Sequence, residues 1–148
     1  MSNTHALTTL LNLAEEAAEE AAKVLAQVRQ THTQMSQQLT MLENYQADYR
    51  QKLNQTLHTG MAADKWQNYQ QFLVTLELTI EQQQGQLNLW EQRVSDANRH
   101  WQEKQQRVNA FDTLIRRADH AKNQRQNRLE QKQMDEFAQR ATLRNRND

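Results

Sequence analysis

The chain has no cysteine, no proline and only 2 glycines among its 148 residues. Without cysteine it forms no disulfide and offers no thiolate to a metal, which fits a reducing cytoplasm. Proline and glycine interrupt helices, so their scarcity favours helix along nearly the whole chain. A glycine-rich phosphate-binding loop is not expected in such a composition.

Apolar residues are also scarce. Hydrophobic residues make up 36% of the chain and aromatic residues 6%. Such a chain does not fill a globular interior, but it does fill the narrow seam between two packed helices. The longest apolar run is too short to span a bilayer, and no charged-then-apolar leader opens the chain. We therefore expect a cytoplasmic protein.

The formal net charge is zero, so no global field draws the chain to nucleic acid or to an anionic membrane. The charge is nevertheless uneven, with glutamates near the start and basic residues at the end. The basic residues of the end are Arg116, Arg117, Lys122, Arg125, Arg128, Lys132, Arg140, Arg144 and Arg146. This end lacks aromatic residues at stacking intervals and contains acidic residues, which argues against nucleic acid. A helix that docks on an acidic protein surface is the favoured interpretation.

Apolar residues recur at alternating steps of three and four in two long stretches. This heptad pattern is typical of a helix that packs along one stripe against another helix, and we call the stripe the seam. The predicted seam of the first stretch is Leu7, Leu10, Ala14, Ala17, Ala21, Val24, Val28, Thr31, Met35, Gln38, Leu42, Tyr45 and Tyr49. That of the second stretch is Tyr69, Leu73, Leu76, Ile80, Gln83, Leu87, Trp90, Val94, Ala97, Trp101, Lys104, Val108, Phe111 and Ile115.

One break, around Gly60, separates the two stretches. The sequence therefore predicts an all-α fold: a long two-helix antiparallel coiled coil, or helical hairpin, in one domain over 1–148. We expect helix one over about 4–57, a turn over about 58–63 and helix two over about 64–143. Folding the chain about Gly60 places Gln38 opposite Gln83 and Ala14 opposite Val108.

The second helix is longer than the first, so residues 119–148 have no partner helix in this arrangement. We call this segment the overhang. Its seam positions are largely basic, with a further apolar cluster around Met134 and Phe137. An isolated helix of this kind is marginal in water, so we expect it to fray when free and to order on a partner.

Close to the turn the apolar surface is wider than one partner helix can bury. Leu39, Leu42, Tyr45 and Tyr49 on helix one and Phe72 on helix two exceed a narrow stripe. Exposed apolar surface of this kind marks an interaction site, which we predict here. A seam that is simply wider at this level is the alternative.

No catalytic or metal-binding constellation is present in the sequence. The five histidines are dispersed, none forms an i, i+4 pair, and no Glu-x-x-His motif appears. His100 and Glu103 share a helix face, but two ligands do not complete a site. We therefore expect no enzyme activity, no cofactor and no metal.

Three segments carry a resemblance to a known family. They are Met41–Arg50 (MLENYQADYR), Trp66–Glu77 (WQNYQQFLVTLE) and Gln131–Arg140 (QKQMDEFAQR). At their spacing they resemble the enterobacterial members of the flagellar FliJ family, soluble components of the bacterial flagellar type III export apparatus. The likeness extends over essentially the whole chain.

The resemblance implies a non-catalytic stalk similar to that of rotary ATPases. Its implied partners are the export ATPase FliI, whose ring assembly it promotes, the export-gate protein FlhA, and export chaperones that it escorts. It implies association with the inner membrane at the flagellar base only through this apparatus. Two alternatives stay open: the corresponding stalk of a virulence type III system, and a generic coiled-coil scaffold.

The resemblance also implies which residues bind the two main partners. The gate-binding set maps onto Gln38, Leu42, Tyr45, Tyr49, Phe72 and Leu76, with Thr79 and Gln83 where other members carry Ala and His. By analogy with rotary stalks the overhang enters the ATPase ring. The contacts assigned there are Arg125, Arg128, Met134, Phe137 and Arg140.

Overall fold

A computed structural model describes the backbone of residues 2–147 and the side chains of residues 4–146. It consists of helix α1, Ser2–Thr59, and helix α2, Ala63–Asn147. No strand occurs within residues 2–147, so the predicted all-α helical hairpin is confirmed. Both helices run beyond the expected bounds of 57 and 143, and the turn shortens to residues 60–62.

The turn has the conformation expected of a glycine that ends a helix. Gly60 has a φ of 90°, and it is the single residue of 2–147 whose φ is positive. Its N–H donates a hydrogen bond to the carbonyl of Leu57 at 3.3 Å. Trp66 N–H then bonds to the carbonyl of Ala62 at 3.1 Å as α2 begins. Glycine adopts this left-handed conformation without the steric cost that a Cβ brings.

The chain divides into two compact units. The first unit combines the chain up to Ala18 with the chain from Glu103, and the second is Glu19–Gln102, which contains the turn. In each unit a segment of α1 packs against a segment of α2. The buried apolar residues of the first unit are Ala14 and Ala18. Those of the second are Ala21, Leu25, Leu39, Leu53, Leu76 and Leu87.

The predicted seam of α2 is confirmed at every position from Tyr69 to Ile115, since each of these residues is buried or half-buried. Gly85 lies outside this stripe and does not interrupt the helix. The seam continues to Ala118, after which every described residue is exposed. The heptad of α2 was therefore readable directly from its sequence.

The predicted seam of α1 is correct in one of its two columns and only partly correct in the other. The column Leu7, Ala14, Ala21, Val28, Met35, Leu42 and Tyr49 is buried or half-buried as expected. The second column is one residue further along: Leu11, Ala18, Leu25, His32, Leu39, Gln46 and Leu53. Of the residues expected in that column, Ala17 and Thr31 are half-buried, whereas Leu10, Val24, Gln38 and Tyr45 are exposed. Burying leucine at 25, 39 and 53 removes more apolar surface from water than the neighbouring residues would.

The predicted pairing of α1 with α2 is confirmed at Gln38 and Gln83. Gln83 Nε2 donates a hydrogen bond to Gln38 Oε1 at 3.4 Å across the two helices. The polar layer formed by these two glutamines favours one register of the helices over slipped alternatives. In the first unit, Leu10 and Ala14 line a cleft together with Arg107 and Phe111, as expected when the chain is folded about Gly60.

The described part of the overhang is helical, since α2 continues to Asn147. Gln and Arg, which are good helix formers, are its most frequent residues. All residues of 119–146 are exposed. Neither helix, within the residues that the structure describes, is long and apolar enough to cross a membrane.

The corrected seam predicts a contrast between two leucines of the second unit. Leu39 is 5% exposed and Leu78 is 55% exposed. Leu39→Ala should lower the free energy of unfolding by about 2 to 4 kcal/mol, because it removes buried methyl groups. Leu78→Ala should change it by less than about 0.5 kcal/mol. Urea unfolding followed by circular dichroism measures both, and equal effects would contradict the corrected seam.

The two glycines should respond in opposite ways to the same substitution. Gly60→Ala should destabilise the hairpin by about 1 to 2 kcal/mol, because alanine is strained at a φ of 90°. Gly85→Ala should stabilise it by about 0.5 to 1 kcal/mol, because nothing lies within 4 Å of the added Cβ and helix propensity improves. Thermal unfolding of both variants tests this; the same sign in both would refute it.

Candidate interaction surfaces

Four aromatic side chains meet beside the turn in the second unit, and we call them the aromatic cluster: Tyr45, Tyr49, Tyr69 and Phe72. Tyr45 and Tyr49 are one turn apart on α1 and therefore share a face, with ring centroids 6.3 Å apart. Tyr49 contacts Phe72 of α2 at 4.7 Å and Tyr69 at 5.5 Å. Tyr45 meets Phe72 edge-to-face at 6.2 Å. Aromatic pairs in such geometries stabilise the packing beyond the area they bury.

The cluster is nevertheless partly open to solvent. Tyr45 is 51% exposed and Phe72 is 40% exposed, while Tyr49 between them is half-buried. The prediction that part of this apolar surface stays exposed is therefore confirmed. Two helices bury one stripe each, and the rings of Tyr45 and Phe72 lie at its edge.

An open cleft continues from the cluster towards the glutamine layer. It is lined by Gln38, Met41, Leu42, Tyr45 and Gln83, and its volume is about 470 Å³. Its lining is predominantly apolar, and Met41 on its edge is 69% exposed. Met41 was absent from the predicted site. Its spacing of three and four residues from Gln38 and Tyr45 places it on their face and is the signal that could have found it.

The remaining residues of the implied gate-binding set differ in their accessibility. Leu76 is only 7% exposed, so it supports the surface from within the seam and has little area to offer a partner. Thr79 is exposed, and its hydroxyl donates a hydrogen bond to the carbonyl of Thr75 at 2.9 Å. Gln83 is half-buried and paired with Gln38. The structure thus joins Tyr45, Tyr49 and Phe72 in the aromatic cluster and places Gln38, Leu42 and Gln83 with Tyr45 around the cleft.

The residues assigned to the ATPase all lie on the exposed part of α2 in the first unit. Met134 and Phe137 line an open groove with Ala138, and Phe137 is 76% exposed. Arg125 lines a second, more polar cleft that also includes Thr4, Lys122 and Leu129. Arg128 and Arg140 are exposed. A helix that carries bare apolar residues among cations resembles a docking helix for an acidic surface.

The two surfaces differ in charge. Basic residues dominate the described part of the overhang: Lys122, Arg125, Arg128, Lys132, Arg140, Arg144 and Arg146 outnumber Asp119, Glu130, Asp135 and Glu136. Around the aromatic cluster, the stretches 30–42, 66–76 and 82–90 contain no Asp, Glu, Lys or Arg, and the charged residues beside Tyr45 and Tyr49 are of both signs: Glu43, Asp48 and Arg50. A partner of one surface is therefore poorly matched to the other.

Ion pairs contribute little to either surface. In the described side chains, Arg116 pairs with Asp112 at 2.9 Å within α2, and His32 Nε2 lies 3.5 Å from Glu91 Oε1 across the second unit. The Arg116–Asp112 pair is exposed and therefore weak, and the contact of His32 with Glu91 is an ion pair only when the imidazole is protonated. Within residues 4–146 no three side chains of His, Asp or Glu come close enough together to hold a metal ion.

The fold and its surfaces together define a class of protein: a coiled-coil helical hairpin that carries exposed apolar sites suited to binding other proteins. Comparison with known sequences then gives the family. Residues 3–147 match the family model described as "Flagellar FliJ protein". The chain belongs to the flagellar FliJ family.

Curated relatives cover almost the whole chain. It is 46% identical over 144 residues to the flagellar FliJ protein of Escherichia coli (strain K12). This alignment covers 97% of this chain and 98% of the relative. The same identity and coverage are found with the flagellar FliJ protein of Salmonella typhi. That of Buchnera aphidicola subsp. Acyrthosiphon pisum (strain APS) is 29% identical over 77 residues, or 52% of this chain and 53% of the relative.

The packing of the aromatic cluster predicts how Tyr49 titrates. Burial raises the pKa of Tyr49 above the ordinary tyrosine value, and neighbouring Tyr69 and Tyr45 raise it further. The stability that Tyr49 contributes is therefore fully present below about pH 10 and is lost as the pH rises through its raised pKa. In an ultraviolet absorbance titration, the tyrosine signal that is lost in Tyr49→Phe should ionise at a pH above the ordinary tyrosine pKa. If the lost signal ionises at or below that value, the assignment is wrong.

Proposed function

We propose that this protein is a non-catalytic stalk and adaptor of the bacterial flagellar type III protein export apparatus. One surface binds the export-gate protein FlhA and the other binds the ring of the export ATPase FliI. The protein promotes assembly of that ring and escorts export chaperones during flagellum assembly. It works in the cytoplasm, at the inner membrane at the flagellar base, which it reaches through the apparatus.

The observation that carries the proposal is the family match over residues 3–147, with 46% identity to flagellar proteins over nearly the whole chain. Membership of a flagellar family favours the flagellar stalk over its virulence counterpart and over an unrelated scaffold. The two exposed surfaces support an adaptor, since each offers apolar residues to a partner and the two differ in charge.

The gate contact is assigned to the aromatic cluster and the cleft beside it. Tyr45 and Phe72 present large exposed rings that the seam already holds in place, so a partner pays little ordering entropy to use them. Aromatic side chains of this kind carry a large share of binding free energy at protein interfaces.

The ATPase contact is assigned to the overhang. Its cations and exposed apolar residues suit a negatively charged channel lined by several subunits. Since residues 119–146 are exposed throughout, the overhang has its apolar face free for such a partner.

Replacing the two exposed rings should remove gate binding without unfolding the hairpin. Tyr45→Ala with Phe72→Ala should weaken binding to FlhA by at least about 30-fold, because two aromatic anchors are lost. The matched control is Val74→Ala with Leu78→Ala, which removes comparably exposed apolar side chains of the same unit. Calorimetry measures affinity and circular dichroism measures helix content; wild-type affinity of the ring variant would overturn the gate assignment.

Shortening the chain after Ala118 should remove stimulation of ATP hydrolysis by FliI. Residues 119–146, the removed residues whose side chains the structure describes, are exposed, so the remaining helices should keep their helix content. In the full-length chain, Met134→Ala with Phe137→Ala should reduce the stimulation at least about tenfold at equal protein concentration. Full stimulation by either protein would place the ATPase contact elsewhere.

A further inference from the structure

A second apolar stripe runs along α2 in the second unit, on the face turned away from α1. It consists of Val74, Leu78, Gly85 and Leu89, and we call it the back stripe. Each of these residues lies nine positions, or about two and a half turns, from a seam residue of α2 and is therefore on the opposite face. The three apolar side chains are exposed, and nothing lies within 4 Å of a Cβ added to Gly85. A glycine in such a stripe allows another helix to approach closely.

The back stripe is acidic at the end nearer the turn. Glu81 lies within the stripe and Glu77 lies beside it, and residues 66–92 of α2 contain no Lys or Arg. The first cation after the stripe is Arg93, whose guanidinium lies 4.5 Å from the centre of the Trp90 ring. This face suits a helix that brings apolar side chains together with cations.

The other charged residues of this part of α2 do not change that balance. Glu91 Oε1 faces His32 of α1 at 3.5 Å. Lys65 lies nine positions before Val74 and is therefore on the opposite face of α2. Asp96 and Arg99 follow the stripe beyond Leu89 and carry opposite charges.

The overhang carries the complementary pattern. Met134, Phe137 and Ala141 follow one another at steps of three and four residues, so they form one face, and all three are exposed. Arg140 and Arg144 flank this face on one side, and residues 137–147 contain no Asp or Glu. At the other end of the same face, four positions before Met134, is Glu130. The face is therefore acidic at its start, apolar in its middle and basic at its end.

Antiparallel packing of the overhang on the back stripe places a large side chain opposite a small one. With Phe137 opposite Gly85, the ring lies over the position that has no side chain. Met134, three positions before Phe137, then comes next to Leu89, four positions after Gly85. Large residues opposite small ones keep two packed helices at a constant distance.

The same alignment pairs opposite charges at both ends of the contact. Arg140 comes next to Glu81 at one end, and Glu130 comes next to Arg93 at the other. A parallel arrangement about the same point would bring Glu130 to the acidic end of the stripe and the arginines to Arg93, where like charges repel. Charge therefore selects the antiparallel direction.

We propose that the overhang of one copy of this protein packs antiparallel on the back stripe of a second copy. Because α2 is one unbroken helix from Ala63 to Asn147, the two faces meet between copies. The contact is short, so the association is weak and reversible, with a Kd of about 10 µM to 1 mM. It covers Met134 and Phe137, which become free when the copies separate. The inference goes beyond the proposed function and does not depend on it.

The test is sedimentation of the full-length protein at concentrations from about 10 µM to about 1 mM, which spans the expected Kd. Glu81→Arg and Arg140→Glu should each weaken self-association at least about fivefold, because each brings like charges together. The matched control is Arg128→Glu, which makes the same change of charge at an exposed position of the overhang. Arg128 is nine positions from Phe137, on the opposite face, so this variant should associate as wild type.

Exchanging the two charges gives the sharper test. A chain that carries both Glu81→Arg and Arg140→Glu should associate within about twofold of wild type, because the pair is restored with its signs exchanged. An equal mixture of the two single variants should also associate, although neither does so alone at the same concentration. In the mixture, the arginine at position 81 of one copy meets the glutamate at position 140 of the other. This result is expected only if the contact lies between copies.

Three results would overturn the inference. The first is a wild-type protein that stays monomeric up to about 1 mM, the upper end of the expected Kd. The second is wild-type association of both single variants, with helix content unchanged by circular dichroism. The third is loss of association in Tyr45→Ala with Phe72→Ala while Glu81→Arg associates as wild type, since the copies would then meet through the aromatic cluster. None of these results bears on binding to FlhA or FliI, so the proposed function is tested separately.

Discussion

The packing of α1 against α2 along a single stripe is the constraint on which the rest of the structure depends. Each helix is mostly polar and has one apolar face to bury. A slip in the register of the two helices would therefore expose the few leucines that are buried. Gly60 allows the chain to turn without backbone strain. The hydrogen bond between Gln38 and Gln83 aligns α1 with α2 at that point of the hairpin. The buried leucines and alanines then fill the stripe at their required spacing.

Both candidate surfaces lie where a helix carries apolar residues that the stripe between the two helices does not bury. Near the turn, the apolar residues are too many for one stripe, so Tyr45, Phe72 and Met41 stay partly exposed around a packed aromatic centre. In the overhang, the stripe ends at Ala118 and apolar residues recur without burial, among cations. The first surface is mainly apolar, and the second is an exposed helix with an excess of basic residues. These differences give the two surfaces different partners in the proposed function.

The sequence was enough to predict the fold, the turn and the whole seam of α2, because in α2 the heptad positions stand out from polar neighbours. In α1 it failed by one residue in one column. Leu10 stands next to Leu11, and Val24 next to Leu25, so the alternation of three and four can be continued through either member of each pair. Only packing against α2 selects Leu11 and Leu25. The same ambiguity hid Met41, which lies beside Leu42.

The chain carries its own probes for the central claim, that two chemically distinct surfaces serve two partners. Of its 5 methionines, Met41 lies at the cleft in the second unit and Met134 in the groove of the overhang. Methyl NMR of protein labelled at the methionine methyl groups can be recorded during separate titrations with FlhA and with FliI. Addition of FlhA should shift or broaden the signal of Met41 and leave that of Met134 unchanged, and FliI should do the reverse. An unchanged Met41 signal with saturating FlhA, or a perturbation of Met134 by both partners, would contradict the account.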